Sequence, residues 1–542
     1  MFLLAFGILN ICRSVVKATP VPGTLSVPPS EYWDGNDGRW STFFVQVGTP
    51  PQVLRLLPGT SASAGTTLWL VLPEGCSILH ANDSGCSTER GQTFLRNSSS
   101  SWLPKTSGTD GLFQLTVPEE QYLGLTGNAY YGFDTVTLSI GGSGLPTLPH
   151  QTIAGIATDD FWLGSLGLSP ISFNFSNFND PQPSLLAGLR NQSFISSFSW
   201  AYTAGAFYKD VPTYGSLTLG GYDTTKFVPN NVSTAFGPDS SRDLLIRIQS
   251  ITYETAGISS TLADETGTFA FIDSLVTPLW LPLNVCQEFE KAFNLTWNDT
   301  MSLYLLDDST HMNLMTKNPC FTFTLGSLSD GGTLQIVIPY AAFDLNITAN
   351  GTEQRYFPLK RAQNSSQYTL GRVFLQEAYI IADYDHQNFS VSQALFPDTS
   401  TPENVVAIAS MDHSGSGQPD HSKTSGLSTV SKIVIAVCVF VLFLVVVGLL
   451  SYYQIRRRRS SRAGSASDTQ PGQSRPDTPR KDLNSTAAGQ EIICELDTAG
   501  NQLIRELDTA VSQIPEIDAS GVPPIELSAG DRHLLWHELP AE

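Results

Sequence analysis

Three aspartates occupy places where a turn can present a carboxylate. Asp34 and Asp37 lie in the segment WDGNDG, and each is followed by glycine, which is typical of turn residues. Asp273 follows the apolar residues Phe271 and Ile272, where an aspartate often opens a turn by bonding its own backbone. One carboxylate cannot serve as base and acid at the same time. These positions therefore predict catalysis only if a second acid lies beside one of them.

Other kinds of chemistry find little support in the residue patterns. Ser, His and Asp are all present, but no Gly-x-Ser-x-Gly segment or Cys–His pairing indicates a nucleophilic hydrolase. No CxxC occurs, and the histidines lack ligand spacing, so we predict no metal site and no cofactor. The net charge of −20 argues against a nucleic-acid partner, because phosphate binding needs clustered Lys and Arg.

The elements that must position these aspartates are predicted to be mostly β. Between residues 40 and 396, short runs rich in Val, Leu, Phe, Thr and Tyr are broken by Gly, Pro, Asn and Ser. The best helix candidate is LNVCQEFEKAF at residues 283–293. A β region of this size favours two lobes over one.

Six segments, in order along residues 40–396, resemble the pepsin-like aspartic proteases, and in particular fungal members with a membrane anchor. These segments are VGTPPQ at 47–52, LWLV at 68–71, Tyr122 ahead of YGFDTV, LGSLGL at 163–168, GSLTLGGYD at 215–223, and LGRVFL at 370–375 with Ala382-Asp383-Tyr384. The resemblance implies a bilobal, pepsin-like double-β-barrel. It also implies a flap over the cleft, with Tyr122 as the flap residue.

The chemistry that the resemblance implies uses two Asp-Thr-Gly loops facing each other across the cleft. Their carboxylates share a proton, so that one activates water while the other polarises the scissile carbonyl. The sequence departs from this pattern at both loops. Gly59 stands at the first aspartate position and Ser61 at that loop's glycine. Asp273 keeps the second aspartate position, but Leu275 replaces the glycine, and a side chain there disfavours the special backbone geometry of the family.

Targeting segments flank the predicted domain. Residues 1–18 read as a signal peptide, residues 19–39 as an N-terminal segment and residues 397–430 as a Ser/Thr/Pro/Gly-rich stalk. Residues 431–453 are predicted to form one membrane-spanning helix with a cytoplasmic C-terminus, because the uncharged apolar run at 433–453 is followed by arginines from Arg456 to Arg459. Residues 454–542 read as a disordered tail, in which ELDTA at 495–499 recurs at 506–510 and is a candidate site for a cytoplasmic partner.

Four cysteines fall in the predicted ectodomain, and sequence order favours pairing Cys76 with Cys86 and Cys286 with Cys320. The same region carries eleven Asn-x-Ser/Thr sequons, which predict a glycosylated surface. They are Asn82, Asn97, Asn174, Asn191, Asn231, Asn294, Asn298, Asn346, Asn350, Asn364 and Asn388.

Three functions are compatible with these features. The leading hypothesis is a catalytically inactive pepsin-like module that binds a peptide or cell-surface ligand in its cleft. The second is an active aspartic endopeptidase with an unrecognised second acid, and the third is a structural surface glycoprotein. The secretory pathway is the expected route, ending at the plasma membrane, the cell surface or the vacuolar membrane.

Overall fold

The computed structural model describes residues 21–411, apart from 79, 82, 106–110, 176–179, 265–266, 329–331, 350–351 and 399–400. The predicted signal peptide, membrane span and tail lie outside these residues. Within the described part of the chain, no helix has the length and apolar character to cross a membrane.

The described chain is mostly β, as the alternation of apolar runs and turn residues predicts. A nine-stranded sheet in the first half contains Pro29–Asp34, Trp40–Val47, Gln52–Gly59, Leu68–Val71, Leu103–Pro104, Leu112–Gln114, Asn128–Leu138, Thr147–Ile156 and Gly164–Gly167. An eight-stranded sheet in the second half contains Leu245–Thr255, Ile258–Ala263, Thr268–Ile272, Leu279–Pro282, Cys320–Gly326, Thr333–Pro339, Leu359–Ala362 and Thr369–Leu370.

Three smaller sheets complete the β structure. The six-stranded one contains Leu25–Val27, Ser199–Ala206, Thr213–Leu219, Thr234–Ala235, Ala378–Asp383 and Asn388–Gln393. A four-stranded sheet contains Thr296–Asn298, Leu303–Leu305, Leu345–Ala349 and Thr352–Phe357, and a two-stranded one contains Gly221–Asp223 and Val405–Ala407.

Helices are short and lie between the strands. They are Glu74–Ser77, Cys86–Glu89, Pro118–Gln121, Leu185–Asn191, Leu283–Phe293, Asp308–Lys317 and Arg372–Leu375. The helix predicted at 283–293 is confirmed at Leu283–Phe293. It buries Val285, Cys286, Phe289 and Phe293, which share one face because a helix turns once every 3.6 residues.

The folded region is longer than the predicted 40–396. At its start, Leu25–Val27 pairs with Thr213–Leu219. At its end, Val405–Ala407 pairs with Gly221–Asp223. A stalk beginning at residue 397 is therefore wrong for residues 403–408, where backbone pairing outweighs a composition that reads as a linker.

One of the two predicted disulfides is present. Cys76 and Cys86 are bonded. The predicted bond between Cys286 and Cys320 is wrong, because Cys286 is a free, buried thiol. The Sγ of Cys286 points instead toward the backbone carbonyls of Leu281 and Lys360. Cys320 is disulfide-bonded, but not to Cys286.

Most of the predicted glycosylation sequons lie on the surface. The exposed asparagines are Asn97, Asn191, Asn231, Asn294, Asn346 and Asn364, whereas Asn174, Asn298 and Asn388 are half-buried. Asn82 and Asn350 lie outside the described residues.

Candidate functional site

Two loops of similar construction face each other at the centre of the molecule. The strand Gln52–Gly59 leads into the first loop and lies parallel to Gly164–Gly167, with Gly167 opposite Gly59. The strand Thr268–Ile272 leads into the second loop and lies parallel to Thr369–Leu370. Each loop therefore begins where one strand of a parallel pair ends, which fixes the direction of the next side chain.

Reciprocal hydrogen bonds tie the two loops together. The backbone N–H of Thr60 donates to Ser274 Oγ at 3.0 Å, and the N–H of Ser274 donates to Thr60 Oγ1 at 2.9 Å. Because Thr60 and Ser274 are equivalent in this exchange, the residues before them, Gly59 and Asp273, also occupy equivalent places. The structure thus puts Gly59 where a second aspartate would complete a carboxylate pair.

The space beside Gly59 is filled by a hydroxyl group. A Cβ built on Gly59 would overlap Ser165 Oγ, while its distance to Leu275 Cδ2 would be an ordinary 3.6 Å. Ser165 Oγ is itself buried without a hydrogen-bond partner. An aspartate at position 59 would therefore have to displace this hydroxyl before it reached Asp273.

Asp273 is 1% exposed and uses its two oxygens differently. Oδ1 accepts a hydrogen bond from the backbone N–H of Leu275 at 2.8 Å, which is the turn-opening arrangement expected of an ordinary aspartate. Oδ2 is buried and receives no hydrogen bond from a donor group. Burial is the main reason that the pKa of Asp273 rises to about 7.

Two glutamates that the sequence patterns did not indicate, Glu119 and Glu120, extend into the site from a short helix. The short helix Pro118–Gln121 lies between the paired strands Leu112–Gln114 and Asn128–Leu138, and we call residues 115–127 the flap tip. Glu119 is 3% exposed and accepts hydrogen bonds from Ser61 Oγ at 3.3 Å and Ser63 Oγ at 3.1 Å. Glu119 thereby joins the flap tip to the first loop.

Glu120 is fully buried and faces Asp273 in the second loop. Both of its carboxyl oxygens lack a donor, as does Asp273 Oδ2. A hydrogen bond between the two carboxyl groups forms only if one of them keeps its proton. Burial, the charge of Asp273 and then the charge of Glu119 raise the pKa of Glu120 well above its usual value. The arrangement is a carboxyl pair that can hold a shared proton.

Arg372 supports the second loop from behind. Its Nη1 donates to the carbonyl of Ser274 at 2.7 Å, and its Nη2 forms an ion pair with Asp37 at 3.2 Å. Asp37 also accepts from Thr277 Oγ1 at 2.7 Å, so its side chain does more than form a turn. Asp34 likewise makes a buried ion pair with Arg55 at 2.8 Å. Neither aspartate meets Asp273 in a carboxyl pair.

The side chains at Ser61 and Leu275 stand in backbone conformations without strain. Neither Ser61 nor Leu275 has a positive φ, so both side chains sit in conformations that any residue adopts. The two loops still approach each other closely enough to exchange hydrogen bonds. What this site lacks for a two-aspartate pair is the carboxylate at Gly59.

Tyr122 lies in the flap tip, as its place in the sequence predicts, but the residue is 51% exposed. Its carbonyl accepts a hydrogen bond from Gln367 Nε2 at 2.6 Å. One sequence signal could have indicated its neighbours, namely the two acids after a proline that begins a helix. Two such acids are typical of a helix N-terminus that faces solvent, since Glu is rarely fully buried.

The family model for eukaryotic aspartyl protease matches residues 42–394, and the chain belongs to this family. Candidapepsin of Candida tropicalis is 22% identical over 389 residues, which cover 72% of this chain and 85% of that protein. The probable aspartic-type endopeptidase opsB of Aspergillus oryzae is 25% identical over 392 residues, covering 69% and 72%. A crystal structure of an aspartic proteinase from Irpex lacteus is 19% identical with a TM-score of 0.46, covering 70% of this chain and all of that one.

Proposed function

We propose that this chain is a membrane-anchored, glycosylated member of the family that binds polypeptide in its cleft and does not hydrolyse it by the two-aspartate mechanism. The observation that carries the proposal is the pair of equivalent positions, with Asp273 at one and Gly59 with the Ser165 hydroxyl at the other. The two-aspartate mechanism divides the base and acid roles between two facing carboxylates, and only one of these, Asp273, is present here.

Glu120 does not replace the missing aspartate in this arrangement. It reaches Asp273 from the flap tip, which contacts the first loop directly through the bonds of Ser61 and Ser63 to Glu119. A peptide bond undergoing hydrolysis would have to lie between the flap tip and the loops. The direct approach of Glu120 to Asp273 uses that same space, so a bound substrate would separate the two acids.

Membrane anchoring and a secretory route rest on the apolar run at 431–453, the arginines after it and the N-terminal segment. One relative is named as a secreted aspartic protease, from Candida albicans, at 24% identity. The Cys76–Cys86 bond is also typical of an oxidising compartment. Six exposed sequon asparagines support glycosylation.

A second candidate is an acid endopeptidase in which Glu120 and Asp273 form the working pair. The buried carboxyl groups without donors favour it, because paired acids with raised pKa values are common at active sites.

One experiment separates the candidates. The full-length protein is incubated with a reduced, unfolded protein between pH 3 and pH 7, and retention and cleavage are both measured, with and without pepstatin. We expect retention without cleavage. Pepstatin-sensitive cleavage that disappears in Asp273→Asn and in Glu120→Gln would establish the endopeptidase instead. If the protein neither retains nor cleaves the polypeptide, both candidates are refuted and the structural surface glycoprotein is favoured.

A further inference from the structure

The flap tip is held against the loops by apolar and polar contacts. Leu115 and Val117 are buried in a cluster that includes Tyr131 and Ile156 of the first lobe. On the other side, the carbonyl of Tyr122 is bonded to Gln367 of the second half. The flap tip is thus held by apolar packing at Leu115 and Val117 and by hydrogen bonds of Glu119 and Tyr122 to polar groups of both halves.

Charged groups surround the Glu120–Asp273 pair unevenly. Glu119 lies beside the pair on the helix that carries Glu120, and its charge raises the pKa of Glu120 and of Asp243, a further buried acid. The nearest cations are Arg242, which donates to the Tyr368 carbonyl, and Arg372, whose guanidinium is engaged by Asp37 and the Ser274 carbonyl. Of the described residues, no Lys, Arg or His forms an ion pair with Glu120 or Asp273.

We propose that the Glu120–Asp273 carboxyl pair is a proton-operated latch, which holds the flap tip closed over the cleft in acid and releases it near neutral pH. The consequence for a ligand rests on the proposed function, since an open flap would admit a polypeptide. The movement of the flap does not depend on that function.

The direction follows from the groups that face the pair. With one proton present, one carboxyl group is neutral and donates a hydrogen bond to the other, so no charge repulsion acts within the pair. When the proton is lost, two buried carboxylates oppose each other without an ion pair to either of them, and the charge of Glu119 adds to the repulsion, while Arg372 offsets only part of it. Opening the flap returns both groups to water, where carboxylates ionise near pH 4. Rising pH therefore favours the open form.

The size of the effect follows from linkage between proton binding and opening. A group with a pKa of about 7 when closed and about 4 when open raises the opening equilibrium constant on the order of 50-fold between pH 5 and pH 7.5. The measurement is amide hydrogen exchange of residues 115–127 in the full-length protein, expressed as protection factors at each pH. The wild type should lose protection by about this factor.

Glu120→Gln is the decisive variant, because the glutamine amide can donate to Asp273 Oδ2 whether or not Asp273 is ionised. Its flap tip should stay protected, with less than roughly a threefold change between the two pH values. Glu377→Gln is the matched control, since Glu377 is another buried acid with a raised pKa but bonds to Tyr208 and Gln393, away from the flap. It should keep the wild-type pH response.

Equal protection of the wild-type flap at pH 5 and pH 7.5 would overturn the latch, as would a Glu120→Gln variant that responds like the wild type. If Glu120→Gln does not fold, Asp273→Asn replaces the other carboxyl of the pair with an amide that can donate to Glu120, and it must give the same loss of response. Failure of polypeptide retention in the earlier assay, with a normal pH response here, would refute the proposed function and leave the latch standing.

Discussion

Alanine at position 59 tests whether the place of the missing aspartate is closed by Ser165. The new Cβ would overlap Ser165 Oγ, but Ser165 Cβ lies 3.6 Å away, at ordinary contact distance. Rotation of the Ser165 hydroxyl can relieve the overlap, so the penalty should be a rotamer cost of about 1 kcal/mol rather than that of a backbone shift. Gly59 has no positive φ, so an alanine there fits the backbone.

Two opposing contributions decide whether each substitution raises or lowers the free energy of unfolding. Gly→Ala at a compatible position stabilises by about 0.4–1 kcal/mol through the unfolded chain. Ser165→Ala removes a buried hydroxyl without a partner, which should stabilise by about 1 kcal/mol. We therefore expect Gly59→Ala to be neutral or destabilising in the wild type and stabilising in the Ser165→Ala background. The coupling energy between the two positions should be about 1 kcal/mol or more.

Urea unfolding of the wild type, both single variants and the double variant gives this coupling directly. Additive effects would refute the conclusion that Ser165 occupies the place of an aspartate side chain. The same result bears on restoring activity. If the coupling is present, Gly59→Asp alone should give no pepstatin-sensitive hydrolysis, and Ser165 must be shortened as well.

Three further predictions concern stability and reactivity. Arg372→Ala should cost about 3 kcal/mol in urea unfolding, because it leaves the buried Ser274 carbonyl without the Arg372 donor and Asp37 without its cation, whereas Arg355→Ala breaks an exposed pair and should cost at most about 1 kcal/mol. Cys286 should resist thiol reagents until the protein unfolds, because burial raises its pKa to about 12 and the side chain is inaccessible; rapid labelling of the native protein would contradict this. Burial also raises the pKa of Asp243 to about 7, so the contribution of its protonated form to the free energy of unfolding is complete below about pH 4 and is lost as pH rises through 7. Asp243→Asn should reduce this pH-dependent loss of stability by up to about 4 kcal/mol. An unchanged pH dependence of the free energy of unfolding would contradict this assignment.

The sequence alone predicted much of the scaffold. Strand-like runs and turn residues indicated a mostly β domain, and the helix at 283–293 followed from the spacing of its apolar residues. Counting from the Gly-Thr-Pro segment at residues 48–50 placed Gly59 opposite Asp273, because both loops follow strands whose pattern is local and continuous. The short loop between Cys76 and Cys86 predicted their bond for a similar reason, since nearby cysteines meet without long-range information.

The sequence was misleading where distant segments decide the outcome. The strand Val405–Ala407 lies in a stretch whose composition reads as a linker, and its pairing with Gly221–Asp223 depends on an open sheet edge nearly two hundred residues away. The free thiol of Cys286 likewise follows from how one helix packs, which the order of cysteines does not encode.

The second acid was the largest omission, and it was visible only in three dimensions. Glu119 and Glu120 look like the solvated start of a short helix, because charged residues after a proline usually face water. Their burial depends on a flap that folds back over the loops and on Ser61 and Ser63, which offer hydroxyl donors to Glu119. The sequence determined that one carboxylate of the family's pair is missing. Only the tertiary structure brought a different carboxyl group to Asp273, because the contact joins residues more than 150 positions apart through packing rather than through local spacing.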